Sequence, residues 1–526
     1  MTRLLPIACV GALLSCGSEP GPAGTTEMRA ALFDSIVAKT ERREAWSPVK
    51  NAALGFDPMA AMRAERDAFI AADTEEELYY AILRLSAARR DRHLSVDLVP
   101  GGLQLSDSSG LDIVGQDDVD APRAPVRIFP DLGQDGPVYF IGDVAEEAAG
   151  PEGPQVGERV VAVNGLPIAE WEAEATRTMR HSTVAGLRWK LADIMAYRSA
   201  ILSPELRADE LALTLEGEQG TRTVRLEWSD EDSWSWPGVG EPHYPGFEER
   251  LSTVTFDLLV DASREIAILT WTGFRETMID DVDALMAYAV ETDLLDHTLI
   301  IDVTRSGGGS RGAYALQRLQ GEPFTTTFGN LRLSDVIEPF VEERRAAFGN
   351  RAFLDGETPE TLDDGSWLME WLEEDVMPAL ERGDEYSTTV PFKSAHAPKD
   401  SDGVLQPAEV HFRGPFAVMS GPDGGSHLDQ FVHQVVDNNL GPVVGMPPGG
   451  YSNTWEWEEV LTFPGRDEPI AHFMWNIGHT VTPDGEIAEG NPAVLDAFIP
   501  LTAENVEEYH TLLLDAALSQ LAARDR

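Results

Sequence analysis

The segment 414–451, GPFAVMSGPDGGSHLDQFVHQVVDNNLGPVVGMPPGGY, restricts the fold of this chain more than any other stretch. Residues 415–420 are a short apolar run that is typical of a buried strand. Residues 421–425 form a turn cluster of glycine, proline and aspartate. Ser426 then stands at the start of an amphipathic stretch, 428–436. The order strand, turn, serine, helix predicts an α/β unit.

Ser426 has two interpretations at this position. Serine is a favoured N-cap residue, because its side-chain oxygen accepts a hydrogen bond from a backbone N–H group of the first helical turn. Alternatively, Ser426 is a nucleophile whose oxyanion is stabilised by backbone N–H groups at the helix N-terminus. The rest of the chain decides between the two.

The chain has 526 residues with 40 basic and 90 acidic side chains, for a formal charge of −50. This length predicts two to four domains. A nucleic-acid partner is not expected, because no basic stripe is present to neutralise phosphates. The charge also disfavours direct binding to an anionic membrane surface. The composition is that of a protein able to bury a large core.

The first residues predict export and a lipid anchor. Arg3 precedes an apolar run, 4–14, that is too short to span a bilayer. The residues LLSC at 13–16 resemble a bacterial lipobox, in which Cys16 is lipidated and residues 1–15 are removed as a signal peptide. Residues 16–26 predict a flexible tether. We therefore expect an envelope protein held to the membrane only by its anchor. In enteric bacteria an acidic residue after the lipidated cysteine is an inner-membrane retention signal. Gly17 is not acidic, so the outer membrane is favoured.

Periodicity divides the rest of the chain into regions. A helix that begins near Asp73 has apolar residues at i, i+3, i+4 and i+7. Residues 211–228 alternate around a glycine, which predicts a β-hairpin. The run 298–303 is typical of a parallel strand covered on both faces. The predicted regions are an N-terminal helical region (27–100), a β-rich module (101–200), a β-hairpin linker region (201–264) and an α/β core (265–526) with an insertion at 321–400.

Several short motifs occur in an order that resembles the C-terminal-processing, or tail-specific, serine proteases and their tricorn-core relatives. The matching segments are DRHL (91–94), VGERVVAVNG (156–165), IAILTWTGF (266–274), LIIDVTRSGGG (299–309), residues 414–445 and EGNPAVLD (489–496). The resemblance covers most of residues 70–505. It implies a multidomain α/β fold, with an N-terminal helical region, a PDZ-like module at 101–200 and a crotonase-like or ClpP-like protease core.

The same resemblance places Ser426 on the nucleophile of the family. The usual family partner is a lysine 25 residues further on, and this position is Tyr451 here. No lysine follows Lys399. A Ser–Lys dyad is therefore excluded unless Lys393 or Lys399 reaches into the site.

Family members without the lysine use a Ser/His/Glu triad, which maps onto Ser426, His93 and Glu489. A serine hydroxyl is a poor nucleophile at neutral pH, so a neutral imidazole must take its proton and a carboxylate must orient that imidazole. Glu486 is an alternative third member. The oxyanion hole implied by the resemblance combines the backbone N–H group of His427 with one from Gly308 or Gly309.

A rival motif is GGSRG at 308–312, which fits the nucleophile elbow of α/β-hydrolases and would make Ser310 the nucleophile of an esterase. His472 or His479 would then supply the base. Metal chemistry is not expected, because the 11 histidines are scattered and no HExxH motif occurs. No cofactor is expected either.

The sequence thus predicts a serine endopeptidase of the bacterial envelope that acts on proteins or peptides with exposed C-termini. Its PDZ-like module would capture a peptide as an added strand. The alternatives are a catalytically inactive peptide-binding lipoprotein on the same scaffold and the Ser310 esterase.

Overall fold

The computed structural model describes residues 23–45, 54–105, 122–218, 220–229, 234–348, 364–392, 397, 399–453 and 455–524. The signal segment with Cys16, most of the tether and Lys393 lie outside the described residues. Within these ranges no helix is both long enough and apolar enough to cross a bilayer.

The helices of the described residues are α1 (Thr26–Arg43), α2 (Pro58–Ala64), α3 (Arg66–Ala71), α4 (Glu75–Ala87), α5 (Ile168–Thr176), α6 (Val184–Met195), α7 (Met278–Glu291), α8 (Gly312–Leu319), α9 (Ile337–Phe348), α10 (Asp364–Trp371), α11 (Met377–Arg382), α12 (His427–Asp437) and α13 (Tyr509–Arg524). The start of α4 was visible in the sequence, since Thr74 and Glu77 form a capping box there.

The strands are β1 (Val96–Leu98), β2 (Val126–Pro130), β3 (Tyr139–Val144), β4 (Arg159–Val163), β5 (Leu166–Pro167), β6 (Glu210–Gly217), β7 (Gly220–Glu227), β8 (Glu248–Ser252), β9 (Phe256–Asp261), β10 (Ile266–Trp271), β11 (Thr298–Asp302), β12 (Phe324–Thr325), β13 (Phe328–Leu331), β14 (Val390–Pro391), β15 (Val404–Leu405), β16 (Phe416–Ser420), β17 (Val443–Gly445), β18 (Glu456–Thr462), β19 (Pro469–Asn476), β20 (Gly478–Val481) and β21 (Ala497–Phe498).

The core is a seven-stranded sheet in the order β21-β17-β16-β11-β10-β9-β8. The strands from β21 to β10 are parallel, whereas β9 and β8 are antiparallel. Helices cover both faces. Leu299 and Ile301 pack in the cluster that contains α7, α8 and α12, while Ile300 between them packs toward α13. This double coverage is why β11 is apolar throughout.

The module that the sequence predicted as PDZ-like has its own sheet, in the order β2-β3-β4-β6-β7, with β5 paired to β4. Helices α5 and α6 pack in its hydrophobic cluster. The hairpin β6–β7 is part of this sheet, and β8 and β9 belong to the core sheet. Residues 201–264 are therefore divided between the module and the core, and they do not form the separate linker region that the sequence predicted.

The N-terminal helices and the insertion share one hydrophobic cluster. Leu78 of α4, Phe340 of α9 and Trp475 of β19 are all buried in it. Strand β1 pairs with β19 in a small antiparallel sheet, and β13 pairs with β20. These pairings place the N-terminal region against the C-terminal half of the chain, next to the core sheet.

The architecture brings several loops together at one edge of the core sheet. Neighbouring parallel strands β11 and β16 end at Asp302 and Ser420, and each is followed by a glycine-rich loop. Functional groups of open α/β sheets are found outside the carboxyl ends of the strands. This edge is therefore the expected place of a functional site.

Candidate active site

Ser426 lies in the sharp turn between β16 and α12 with an unusual backbone conformation. Its φ of 62° and ψ of −120° are rarely adopted by residues with a side chain. Strain of this kind is concentrated at functional sites. Ser426 is half-buried, and its side chain makes no capping hydrogen bond to the first turn of α12. The N-cap interpretation of this serine is therefore not supported.

The loops after β11 and β16 touch through their backbones. A Cβ atom on Gly424 would lie 1.9 Å from the carbonyl oxygen of Ser306, and one on Gly308 would lie 2.7 Å from Cβ of Ser426. Only glycine permits such approaches. Gly308 therefore lies directly beside the Ser426 side chain.

His93 contacts Tyr451, which in turn is hydrogen-bonded to the loop of Ser426. The two rings pack edge to face, with centroids 5.1 Å apart and an angle of 73° between their planes. The carbonyl oxygen of Tyr451 accepts a hydrogen bond of 2.6 Å from the backbone N–H group of Ser426. His93 and Ser426 thus share a neighbour, although they come from opposite ends of the chain. Tyr451 is also the residue at which the family resemblance predicted a lysine in place of the tyrosine.

Two buried carboxylates flank His93. Ligand atoms of Asp91, His93 and Glu489 all lie within 4.8 Å of one another. Asp91 is 0% exposed and Glu489 is 2% exposed. Oδ1 of Asp91 is 3.9 Å from Nδ1 of His93, and this nitrogen is buried with no hydrogen-bond partner among the described residues. The structure therefore brings His93 and Glu489 together, with Asp91 as a second acid.

Both acids are held by several donors. Asp91 accepts hydrogen bonds from the backbone N–H group of His93 (2.9 Å) and from Nδ2 of Asn476 (3.1 Å). Glu489 accepts hydrogen bonds from Oγ of Ser182 (2.5 Å), the backbone N–H group of Ser452 (2.7 Å) and that of Asn453 (3.2 Å). Charge-assisted hydrogen bonds of this kind fix the orientation of a carboxylate.

The cluster of Asp91, His93 and Glu489 also has the donor types that bind a divalent cation. Carboxylate and imidazole ligands suit zinc and manganese. However, N–H and O–H donors are already directed at the carboxylate oxygens. This hydrogen bonding indicates that the two carboxylates orient His93. It argues against the interpretation that the three residues are metal ligands.

The oxyanion residues expected from the resemblance lie next to Ser426. His427 begins α12, so its backbone N–H group is at the positive end of the helix dipole. Its ring is engaged elsewhere, because Nε2 accepts a hydrogen bond of 2.8 Å from Gly312 and the ring packs against Phe274. Gly309 forms a parallel bridge with Phe274. The ring of His427 therefore faces Gly312 and Phe274, while its backbone lies at the start of α12 beside Ser426.

The alternative residues lie elsewhere. Glu486 is exposed and accepts a hydrogen bond from Asn491, so of the two glutamates it is Glu489 that lies beside His93. The ammonium group of Lys399 forms ion pairs with the carboxylates of Asp375 at 3.1 Å and Asp400 at 3.0 Å. The structure does not bring Lys399 to the site.

Ser310 does not stand at the end of a strand. It follows β11 by several residues, and its backbone N–H group donates to the carbonyl oxygen of Phe274. Its two histidine candidates lie in other sheets. His472 in β19 contacts Glu458, and His479 in β20 stacks on Tyr386. Both serines follow their strands by several residues, but only Ser426 has a positive φ and directly precedes a helix, α12.

Asp429 is an acid that the sequence analysis did not select. It lies one turn into α12, is 0% exposed, and accepts a hydrogen bond of 3.0 Å from the backbone N–H group of Gly450. Burial raises the pKa of Asp429 to about 7, against the opposing effects of His433 and of nearby backbone N–H groups. The spacing Ser-x-x-Asp at 426–429 was a visible signal, because it resembles a capping box.

No protein-family model matches the sequence, and no curated protein matches it. Among solved structures, the chain is similar to mature CPAF complexed with lactacystin, at 15% identity over 95% of this chain and 99% of that chain, with a TM-score of 0.69. A second structure of mature CPAF is similar at 14% identity over 95% of this chain and 98% of that chain, also with a TM-score of 0.69.

The photosystem II D1 C-terminal processing protease also matches, at 12% identity over 93% of this chain and 98% of that chain. Its TM-score of 0.39 is too low to support an argument. The similarity to CPAF shows a shared fold across nearly the whole of both chains. The multidomain α/β fold that the sequence predicted is confirmed.

The buried carboxyl group of Asp429 predicts how stability depends on pH. A raised pKa means that the folded state binds a proton that the unfolded state releases between pH 4 and 7, so stability falls as pH rises through this range. Above pH 7 the deficit is on the order of 4 kcal/mol. Asp429→Asn should remove it, so that thermal unfolding curves show the variant gaining stability relative to wild type between pH 5 and pH 8. The exposed Asp515→Asn variant is the control. Parallel pH profiles for Asp429→Asn and wild type would contradict this account.

Proposed function

We propose that this chain is a serine peptidase in which Ser426 is the nucleophile, His93 the general base and Glu489 the residue that orients the base. The observation that carries the proposal is the convergence at Tyr451. The carbonyl oxygen of Tyr451 accepts a hydrogen bond from the backbone N–H group of Ser426, and the ring of Tyr451 packs on His93. Ser426 itself has a strained backbone and does not cap α12. The fold shared with CPAF supports the proposal.

In the proposed reaction, Oγ of Ser426 attacks the carbonyl carbon of the scissile peptide bond while His93 takes the hydroxyl proton. The oxyanion is stabilised by the backbone N–H groups of His427 and Gly308. Glu489 stabilises the imidazolium. His93 then protonates the leaving amine as the C–N bond breaks. Water, activated by the same histidine, hydrolyses the acyl-enzyme and regenerates Ser426.

A cavity of about 380 Å³ supports a peptide substrate. It lies between the edge strand β2 and helix α6 of the PDZ-like module, where Phe129 and Trp189 stack at 5.7 Å. Arg305 and Asp423 are also among the residues that line it. Arg305 belongs to the loop that carries Gly308, and Asp423 belongs to the loop that carries Ser426. An extended peptide that adds to the edge of β2 would therefore enter beside the nucleophile.

A catalytically inactive peptide-binding protein is the second candidate. The observation that favours it is Tyr451, which replaces the family lysine. On this account the cavity still binds peptides, but His93 does not activate Ser426. Labelling of the serine separates the two candidates.

The first prediction from the proposed function concerns the nucleophile and its base. A fluorophosphonate should label Ser426, and Ser426→Ala should abolish hydrolysis of an unfolded protein substrate without changing the unfolding temperature. His93→Ala should lower kcat by roughly 10⁴–10⁶-fold, whereas His472→Ala should retain wild-type activity. Lactacystin is a second probe of the site.

Three outcomes would contradict this assignment. Labelling of Ser310 would favour the esterase. Full activity of His93→Ala would exclude the triad. A correctly folded wild-type protein that no fluorophosphonate labels would be the inactive peptide-binding protein.

The second prediction concerns the substrate. Arg123, Arg127 and Arg305 line the cavity together with the acids Asp193, Glu241 and Asp423, and guanidinium groups bind carboxylates well. Peptides with a free C-terminus should therefore bind the Ser426→Ala protein about tenfold more tightly than their C-terminal amides, as measured by fluorescence anisotropy. Amides that carry the same net charge through an added internal aspartate serve as controls. Equal affinities for free and amidated peptides would show that the terminal carboxylate is not recognised.

The third prediction concerns location. We propose that Cys16 is lipidated and anchors the protein in the bacterial envelope, on the outer membrane where one exists. Acyl chains contribute about 0.8 kcal/mol per buried CH₂, which offsets repulsion between a chain of charge −50 and anionic lipids. Mass spectrometry should find an acylated Cys16 as the first residue, and Cys16→Ser should move the protein to the soluble fraction. A mature chain that begins elsewhere would exclude the anchor.

A further inference from the structure

We propose that Ser182 is a positioning residue of the active site and that the PDZ-like module supplies it. Its hydroxyl group fixes Glu489 relative to the backbone that carries His93. The inference rests on the proposed function and assigns the module a part in the chemistry, in addition to peptide binding.

The Ser182 hydroxyl group joins two parts of the site. It donates a hydrogen bond of 2.5 Å to Oε1 of Glu489 and accepts one of 3.2 Å from the backbone N–H group of Arg92. A hydroxyl group has one hydrogen and two lone pairs, so it can make both bonds at once. Arg92 immediately precedes His93. Ser182 therefore links the carboxylate of Glu489 directly to the backbone segment that carries His93.

The other donors to Glu489 come from a different part of the protein. Oε2 accepts hydrogen bonds from the backbone N–H groups of Ser452 and Asn453, which follow Tyr451 directly. Oε2 is thus fixed to the loop that contacts Ser426, and Oε1 is fixed to the module. The orientation of this carboxylate toward His93 depends on both attachments.

The residues around Ser182 hold the module against the same loops. Nη1 of Arg180 donates to the carbonyl oxygen of Arg92 at 2.7 Å. Oγ1 of Thr183 donates to the carbonyl oxygen of Gly449 at 2.9 Å. A hydroxyl group between two such contacts has little freedom to move. The position of Ser182 is therefore set by the docking of the module on the core.

Trp189, in the middle of α6, extends this docking. Its Nε1 donates to Asp423 at 2.9 Å, and its ring lies 4.9 Å from the guanidinium carbon of Arg305. These two partners lie on the loops of Ser426 and Gly308. Residues 180–189 of the module thus contact each of the loops that bring a proposed catalytic group to the site.

Loss of the Ser182 hydroxyl group should affect the rate and not the binding of substrate. Ser182→Ala removes the donor to Oε1 and the acceptor for Arg92, while it leaves Ser426, His427 and the cavity unchanged. Misplacement of a catalytic group by about 1 Å reduces rates on the order of 100-fold. Because Ser182 contacts no substrate in this arrangement, KM should stay within a factor of two of the wild-type value.

The test compares three variants of the full chain. Ser182→Ala should lower kcat by roughly 10–100-fold and slow fluorophosphonate labelling of Ser426 by the same factor. Ser182→Thr keeps a hydroxyl group and should recover most of both rates. Ser203→Ala is the matched control, because Ser203 lies in the same module and makes no capping hydrogen bond to the turn that it precedes. A wild-type kcat for Ser182→Ala, or equal losses in the Ala and Thr variants, would overturn the inference.

A second readout does not require activity. In the Ser426→Ala background, Ser182→Ala should speed amide hydrogen exchange in peptides that cover residues 91–94 and 451–453, and Ser203→Ala should not. If wild-type protein is neither labelled nor active but this exchange difference is found, the proposed function fails and the link through Ser182 stands. Unchanged exchange in Ser182→Ala would remove the link itself.

Discussion

The close backbone contact between the loops that follow β11 and β16 is the constraint on which the rest of the site depends. Parallel neighbouring strands deliver both loops to one edge of the sheet. The contact then requires glycine at 308 and 424, because a Cβ atom at either position would collide with the opposite loop. Any side chain there would separate Gly308 from Ser426. The distance between the proposed nucleophile and the proposed oxyanion donors is thus set by two neighbouring strands of the core sheet.

The histidine half of the site is assembled by long-range contacts. Strand β1, just after His93, pairs with β19, and Asn476 at the end of β19 donates to Asp91. Arg89, which precedes this segment, is fully buried and forms an ion pair with buried Glu44. A buried charge is tolerated only when it is paired and hydrogen-bonded. The segment of His93 is therefore held by interactions that form only when the N-terminal region has packed against β19.

Local patterns in the sequence predicted local structure well. The helix expected to begin near Asp73 is α4 (Glu75–Ala87), and the strand expected at 298–303 is β11 (Thr298–Asp302), since apolar spacing depends on neighbours along the chain. The sequence also located Ser426 at the start of α12. It did not predict that residues 201–264 divide between two sheets, because strand partners are chosen by tertiary packing. Ser182 carried no signal for the same reason: its partner Glu489 lies far away in the sequence, on another part of the fold.

Tyr451 stands at the position that the family resemblance assigns to a lysine, and a tyrosine there is consistent with the charges around Ser426. A lysine that acts as a base must be neutral, which requires an apolar environment without nearby carboxylates. Here Asp429 lies beneath the same turn, with Oδ2 close to the position that a Cβ atom on Gly425 would occupy. An ionised Asp429 would hold an ammonium in its charged form and would oppose an oxyanion on the substrate. Burial raises the pKa of Asp429 to about 7, so this acid is neutral in mildly acidic solution. An uncharged tyrosine ring is compatible with both the protonated and the ionised carboxyl group. A base on the other side of Tyr451, where the proposed base His93 lies against the tyrosine ring, avoids the conflict.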